Sequence, residues 1–378
     1  MSPHKLKGMT WDHPRGLDCL VNSDGLLQEQ LHVSVDWTAR SLLAFGDQHI
    51  SEFYADHDLM IIDHPHVPDA VHANAVIALE DVASDDDMEL LAKTSVGASH
   101  DSYIYKGKHW ALAIDTAAQV SAYRPDKTSK GLVFWEEVLD AGREGLLLWP
   151  HKPVDAFSTF ATLMAQKNHA LCSTHQYLDK SVAGEVLSFM ISLAKVVPAP
   201  CLTMNPIDAV EYLVTTNKEH YSICMYGYTN YSRDGFRTRP IVYDDVPSFD
   251  GLASGSQLGG AGIAISSASK NVELATRVAI LLSLPEIQST TYVDAGGQPG
   301  NLAAWKSPHA NSITRNFFTN TLRTLERAWV RPRFLCWPDV QYQSSVIIHK
   351  ILTEKNFTSK DVDDIAATYT RYNQELGK

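Results

Sequence analysis

Gly259-Gly-Ala-Gly-Ile-Ala-Ile-Ser-Ser-Ala-Ser-Lys-Asn-Val-Glu273 is the stretch from which the fold of this chain is read. Within it, Gly262-Ile-Ala-Ile-Ser266 is a short apolar run closed by a Ser-rich turn, which suits a strand buried on both faces of a sheet. Downstream, Val272, Ala275, Val278, Ala279 and Leu282 recur at i, i+3, i+4 spacing as far as Pro285, which predicts an amphipathic helix ending there.

The same signals recur outward from this segment. Leu59-Met-Ile-Ile-Asp63 and Trp110-Ala-Leu-Ala-Ile114 are further apolar runs of strand length, and Val182, Val186, Met190 and Leu193 form a second helical stripe that runs down to Pro198. Asn205-Pro206 predicts a helix start, because Asn caps free N–H groups and Pro suits the first turn; the helix then runs through Ile207, Val210 and Val214. Strands alternating with helices predict an α/β fold with a mainly parallel sheet and right-handed crossovers. Loops leaving the carboxyl ends of the strands then converge on one edge and form a binding crevice.

A chain of 378 residues, 44% hydrophobic and 20% charged, is long enough for two lobes with a core each. There is no internal repeat, low-complexity tract or long Gly/Ser linker, so short crossings join the lobes, as a hinge requires. The net charge of −12, without a Lys or Arg cluster, works against nucleic acid and anionic membrane surfaces as partners. No apolar run approaches spanning length, so membrane insertion is not expected. Cys19, Cys172, Cys201, Cys224 and Cys336 are odd in number and widely spaced, which predicts reduced thiols. No Walker loop occurs, Gly259-Gly-Ala-Gly262 lacks the third glycine of a dinucleotide fingerprint, and Ser267-Ala-Ser-Lys270 has none of its β-lactamase companions. Neither a cofactor nor a resident metal is expected.

The strand-end rule selects the candidate site residues. Trp11, Asp12, His13 and Arg15 follow the first strand, and Arg15 can hold a carboxylate or phosphate bidentately; the plainer alternative is a capped turn. Asp63, His64 and His66 leave the second clear strand at the same edge, where they can hydrogen-bond a ligand and permit a metal without demanding one. Asp115 and Gln119 follow the strand that crosses between lobes, where Asp115 either touches ligand or holds backbone N–H groups. Tyr226, Tyr228, Asn230 and Tyr231 form an aromatic and polar loop at the mouth of the second lobe, suited to a sugar ring or an aliphatic chain. Gln298 reaches the cleft from a Gly-Gly turn, while Trp305 and Trp337 are expected to pack.

Several of these segments together resemble one family. Gly259 to Glu273, then Leu284-Pro-Glu-Ile-Gln288 and Gly296-Gly-Gln-Pro299, with Phe134-Trp-Glu-Glu-Val-Leu-Asp140 and the crossing Trp110 to Arg124 before them, are similar to the family 1 extracellular solute-binding proteins of ABC importers. The resemblance implies a type II periplasmic-binding-protein fold: residues 1–114 and 259–378 build one lobe and residues 115–258 the other. It further implies a monomer that captures a small polar molecule, a sugar, polyol or small carboxylate, by hinge closure for uptake through an ABC permease. Lys7-Gly-Met-Thr-Trp-Asp-His-Pro-Arg-Gly16 is unlike the usual sugar-binding start and looks like a subgroup without an evident signal peptide. Met1 to Thr10 has no apolar stretch of the secretory kind, so a periplasmic or extracellular location is expected if a signal was removed and a cytoplasmic one if the chain is complete. The competing reading is a cytosolic enzyme or metabolite sensor on the same fold, with His13, His64 or His66 as general base and Arg15 steering an anionic substrate.

Overall fold

The computed structural model describes residues 3–47, 49–173 and 176–376, so Met1 and Ser2, which head the opening segment, lie outside the described residues. The chain forms two compact units, Met1–Ala117, Gly259–Thr314 and Arg333–Leu335 in the first, and Ala118–Leu258, Arg315–Pro332 and Cys336–Lys378 in the second. This differs from the expected division. The first boundary follows Ala117, which leaves Asp115 in the first unit, and most of the chain beyond Thr314 belongs to the second. Packing explains the latter: in the Trp337–Glu354 helix, Trp337 meets Phe157 edge-on at 6.1 Å and Tyr177 at 6.3 Å, and the Tyr177 hydroxyl shares a 3.0 Å hydrogen bond with Ser344.

Ten strands occur among the described residues: β1 (His4–Trp11), β2 (Val33–Arg40), β3 (Leu59–Ile62), β4 (Ile104–Tyr105), β5 (Lys108–His109), β6 (Leu112–Tyr123), β7 (Leu147–Leu148), β8 (Tyr221–Tyr226), β9 (Val242–Asp244) and β10 (Leu258–Ile265). In the first unit the order is β2-β1-β3-β10, with β2 and β3 parallel to β1 and β10 antiparallel to β3. In the second, β8 and β9 pair antiparallel with β6 and β7 pairs parallel with β8. The sheet is therefore mixed, a correction to the mainly parallel one expected. The register gives the reason for β10: Gly262 faces Ile62 and Ile265 faces Leu59, so the chain re-enters beside the carboxyl end of β3 and runs back against it.

Alternation along β3 feeds two cores. Leu59 and Ile61 join a cluster with Leu6, Ile114, Ala261, Ile263 and the apolar stripe of the Val272–Ser283 helix, while Met60 and Ile62 join another with Val67, Val76, Tyr103 and Ala264. Each fully buried Ile or Leu contributes ~1.5–3 kcal/mol, which is why a strand of four residues can sit at the centre of the sheet. Among the described residues, no helix is long and apolar enough to cross a membrane.

Candidate functional site

In the first unit, β1, β2 and β3 run in one direction, with Trp11 facing Arg40 and Gly8 facing Leu59, so their carboxyl ends form a common edge. The turn after β1 is built by His13, whose Nδ1 accepts the Arg15 backbone N–H at 3.0 Å, and by Pro14 at the first position of the Pro14–Val21 helix. His13 is thus the cap, and Asp12 is left exposed. Arg15 turns inward. Its Nε donates to Asp115 Oδ2 at 2.8 Å and its Nη2 to Asp115 Oδ1, and both residues are buried. Burial pushes the Asp115 carboxyl above its ordinary value, Arg15 pulls it back, and the nearby Asp63 carboxylate adds to the rise. Arg15 therefore spends its charge inside the protein, against the expectation that it holds a ligand anion.

Trp11 is buried in the core, with its ring 4.9 Å from that of Phe45 and pressed on Gly16, where a Cβ would lie 2.2 Å from the indole. Asp63 caps the turn His64–His66, its Oδ1 accepting the His64 N–H at 2.8 Å, while the His64 ring lies edge-on to Tyr103 at 6.1 Å. His64 is buried and His66 half-buried, and among the described residues no group of three or more His, Cys, Asp or Glu could hold a metal. Gln298 is buried and clamps the backbone beside Asp115: its carbonyl accepts from Thr116 N at 3.0 Å and its Nε2 donates to Thr116 O at 2.8 Å. Trp305 and Trp337 are buried, and Trp305 Nε1 donates to Pro299 O at 2.7 Å.

In the second unit the carboxyl ends of β7 and β8 lead to Trp149 and to the tyrosine loop. Tyr226 is half-buried and its hydroxyl accepts from Gln257 Nε2 at 2.8 Å; the same Nε2 donates to Ser158 at 3.0 Å. The Gln257 backbone N–H bonds Thr162, whose hydroxyl donates to Gln119 Oε1 at 2.7 Å. Gln119 is wholly buried, and its Nε2 holds the Cys224 carbonyl at 2.9 Å beside the register shift between Val120 and Ala122. It therefore tethers backbone. Tyr231 is also internal, its hydroxyl 2.7 Å from Glu211 and its ring edge-on to Phe236, which corrects its assignment as a sugar platform. Tyr228 and Asn230 are buried in the same loop, and among the described residues no partner meets Asn230 Oδ1.

The sequence reading passed over further polar residues of this unit. Asp155 and Ser158 lie one turn apart in the Pro153–Gln166 helix, and Asp155 Oδ2 and Gln257 Oε1 are buried without a partner among the described residues. Burial pushes the Asp155 carboxyl up to about 8. His151 stacks on Trp149 at 4.4 Å, and its ring is driven down to about 4 by burial. The signal was present in Leu147-Leu-Trp-Pro-His151, an apolar pair followed by polar groups, but β7 is too short to stand out as a strand. Arg40, at the carboxyl end of β2, was missed as well, because Val33-Ser-Val-Asp-Trp-Thr-Ala-Arg40 has no continuous apolar run.

No protein-family model matches the sequence, and no curated protein matches it. Solved structures do match along nearly the whole chain. The maltose-bound MalE3 of T. maritima superposes with a TM-score of 0.81 at 18% identity, covering 96% of this chain and 98% of that one. A solute-binding protein of Agrobacterium radiobacter K84 in complex with ribitol gives 0.77 at 15% identity, covering 96% and 97%. One from Thermotoga lettingae TMO bound with α-D-tagatose gives 0.76 at 19%, covering 96% and 98%. The fold is that of the type II solute-binding proteins of ABC transporters.

Proposed function

We propose that this protein is a solute-binding protein that captures a small polar molecule of the sugar, polyol or small-carboxylate class, closes its two units around it, and delivers it to an ABC permease. The observation that carries the reading is the near-complete correspondence of the fold with proteins whose structures hold maltose, ribitol and tagatose. Support from this chain's own residues comes from the second unit, where Asp155 Oδ2, Asn230 Oδ1 and Gln257 Oε1 are buried and unpartnered among the described residues. Each unmet buried polar group costs ~1–3 kcal/mol, and the hydroxyls of a polyhydroxylated ligand, which both donate and accept, suit the Asn230 and Gln257 carbonyls and the protonated Asp155 carboxyl alike. On this reading the work is done on the outer side of the membrane.

The mechanism is differential affinity, since ligand bonds that exist only in the closed state shift the population toward closure. Saturating ligand then raises the melting temperature and reduces the radius of gyration. A thermal-shift screen of sugars, polyols and small carboxylates, followed by X-ray scattering on hits, is the test, with Asn230→Leu expected to weaken the hit at least tenfold. Unchanged melting and scattering across the library would overturn the reading.

A further inference from the structure

The two arginines at the carboxyl edge of the first unit differ in their charge balance. Arg15 is neutralised by Asp115. Arg40, the last residue of β2, has no carboxylate partner among the described side chains, and its Nε and Nη1 are buried without an acceptor among them. Its Nη2 donates to the Ile61 carbonyl at 3.3 Å, although β1 separates β2 from β3. The side chain therefore lies across the ends of three adjacent parallel strands, where a fold of this type receives its ligand. Its guanidinium carbon sits 4.2 Å from the Phe53 ring centroid and 5.5 Å from that of Phe45.

An unpaired charge held partly out of water is unfavourable, and a ring face returns only ~0.5–2 kcal/mol of cation–π attraction. Burial accordingly draws the Arg40 guanidinium down to about 10, with no nearby carboxylate opposing the fall. Since none of the described side chains supplies the counter-charge, an external one satisfies the site best. A carboxylate matches the planar guanidinium, and the aromatic rings beside it suit the carbon skeleton of a sugar acid. Engagement requires the guanidinium to swing from Phe53 toward the anion, a movement open to a half-buried side chain with several rotatable bonds.

We infer that Arg40 is a specificity-determining residue that selects a ligand bearing a carboxylate, so that the captured solute is a sugar acid rather than a neutral sugar or polyol. This rests on the solute-capture reading and deepens it. The test is titration calorimetry with matched acid and neutral probes: D-galacturonate with D-galactose, D-glucuronate with D-glucose, and D-gluconate with D-glucitol. In at least one pair the acid is expected to bind at least ~30-fold tighter than its neutral partner and to weaken as sodium chloride is raised. Arg40→Met should abolish that advantage without lowering the melting temperature of the unliganded protein. Arg40→Lys, which keeps charge and loses the planar fork, should retain part of it and serves if the Met variant does not fold.

Acids that bind no better than their partners, or an acid preference that survives Arg40→Met, would overturn the inference. Neutral probes binding wild type and Arg40→Met equally would leave solute capture standing and remove only the acidic class. No binding by any probe counts against the inference, and the wider screen decides solute capture separately.

Discussion

Asp155 carries its proton differently in the folded and unfolded chain. Its carboxyl rises from 3.8 to about 8 because burial penalises the charged form, with only Lys152 opposing and Asp208 adding to the rise. The folded state therefore holds a proton between about pH 4 and about pH 8 that the unfolded state has released, so stability falls as pH rises through this window and levels off above it. Asp155→Asn keeps the shape and removes the titration. Denaturant melts of the two proteins from pH 4 to 9 should show the wild type losing stability relative to the variant by on the order of 1 kcal/mol per pH unit. Parallel pH profiles would mean that Asp155 is ionised and paired in the native protein. At the residue scale, the strand-end rule proposes positions and leaves the direction of each side chain open. Arg15 and Asp63 do follow β1 and β3, whereas β6 runs on to Tyr123 and holds Asp115 and Gln119 inside the strand; whether each side chain turned inward was decided by distant partners: Asp115 for Arg15, Phe45 for Trp11, Glu211 for Tyr231, Cys224 for Gln119.

Helices were the elements best written into the sequence. The stripe from Val272 to Leu282 became the Val272–Ser283 helix, that from Val182 to Leu193 lies inside Lys180–Ala194, and Asn205 caps Pro206–Thr215 reciprocally with Asp208. Those signals are local, as capping and a 3.6-residue period require no knowledge of the rest of the chain. Strand direction is set by where the chain re-enters the sheet, which is why β10 escaped a local reading. Its Gly260 has φ of +133°, and a Cβ there would stand 2.5 Å from the Asp115 carbonyl oxygen and 2.8 Å from the Thr116 Cα. Gly260→Ala should therefore cost ~2–4 kcal/mol in urea unfolding, through both backbone strain and collision with main chain that cannot yield. Gly25, in the Asp24–Leu31 helix, has open space where its Cβ would go, so Gly25→Ala should gain ~0.5–1 kcal/mol. Equal and small effects from the two substitutions would place β10 differently from the structure.

The whole molecule is discontinuous in sequence, and its stability inherits that. The first unit's larger core takes Leu6, Leu20, Val33, Leu59 and Leu112 from the chain before Ala117, and Ala261, Ile263, Ile265, Val278, Leu282 and Tyr292 from beyond Leu258. Neither set closes a core alone, since β3 without β10 exposes an edge lined by residues that are otherwise fully buried. The second unit likewise depends on Trp337, which fills space against Phe157 and Tyr177. A fragment ending at Leu258 should therefore lack near-ultraviolet circular dichroism and a cooperative melt, despite carrying most of the second unit. Adding the segment from Gly259 onward in trans should restore both, because the missing strand and helix bring their own apolar faces. Contacts this distant in sequence must await closure of a long loop, so refolding of the intact chain should be slow compared with that of helical proteins of similar size. A fragment 1–258 that melts cooperatively by itself would contradict this dependence and would mean that β10 completes a sheet already stable without it.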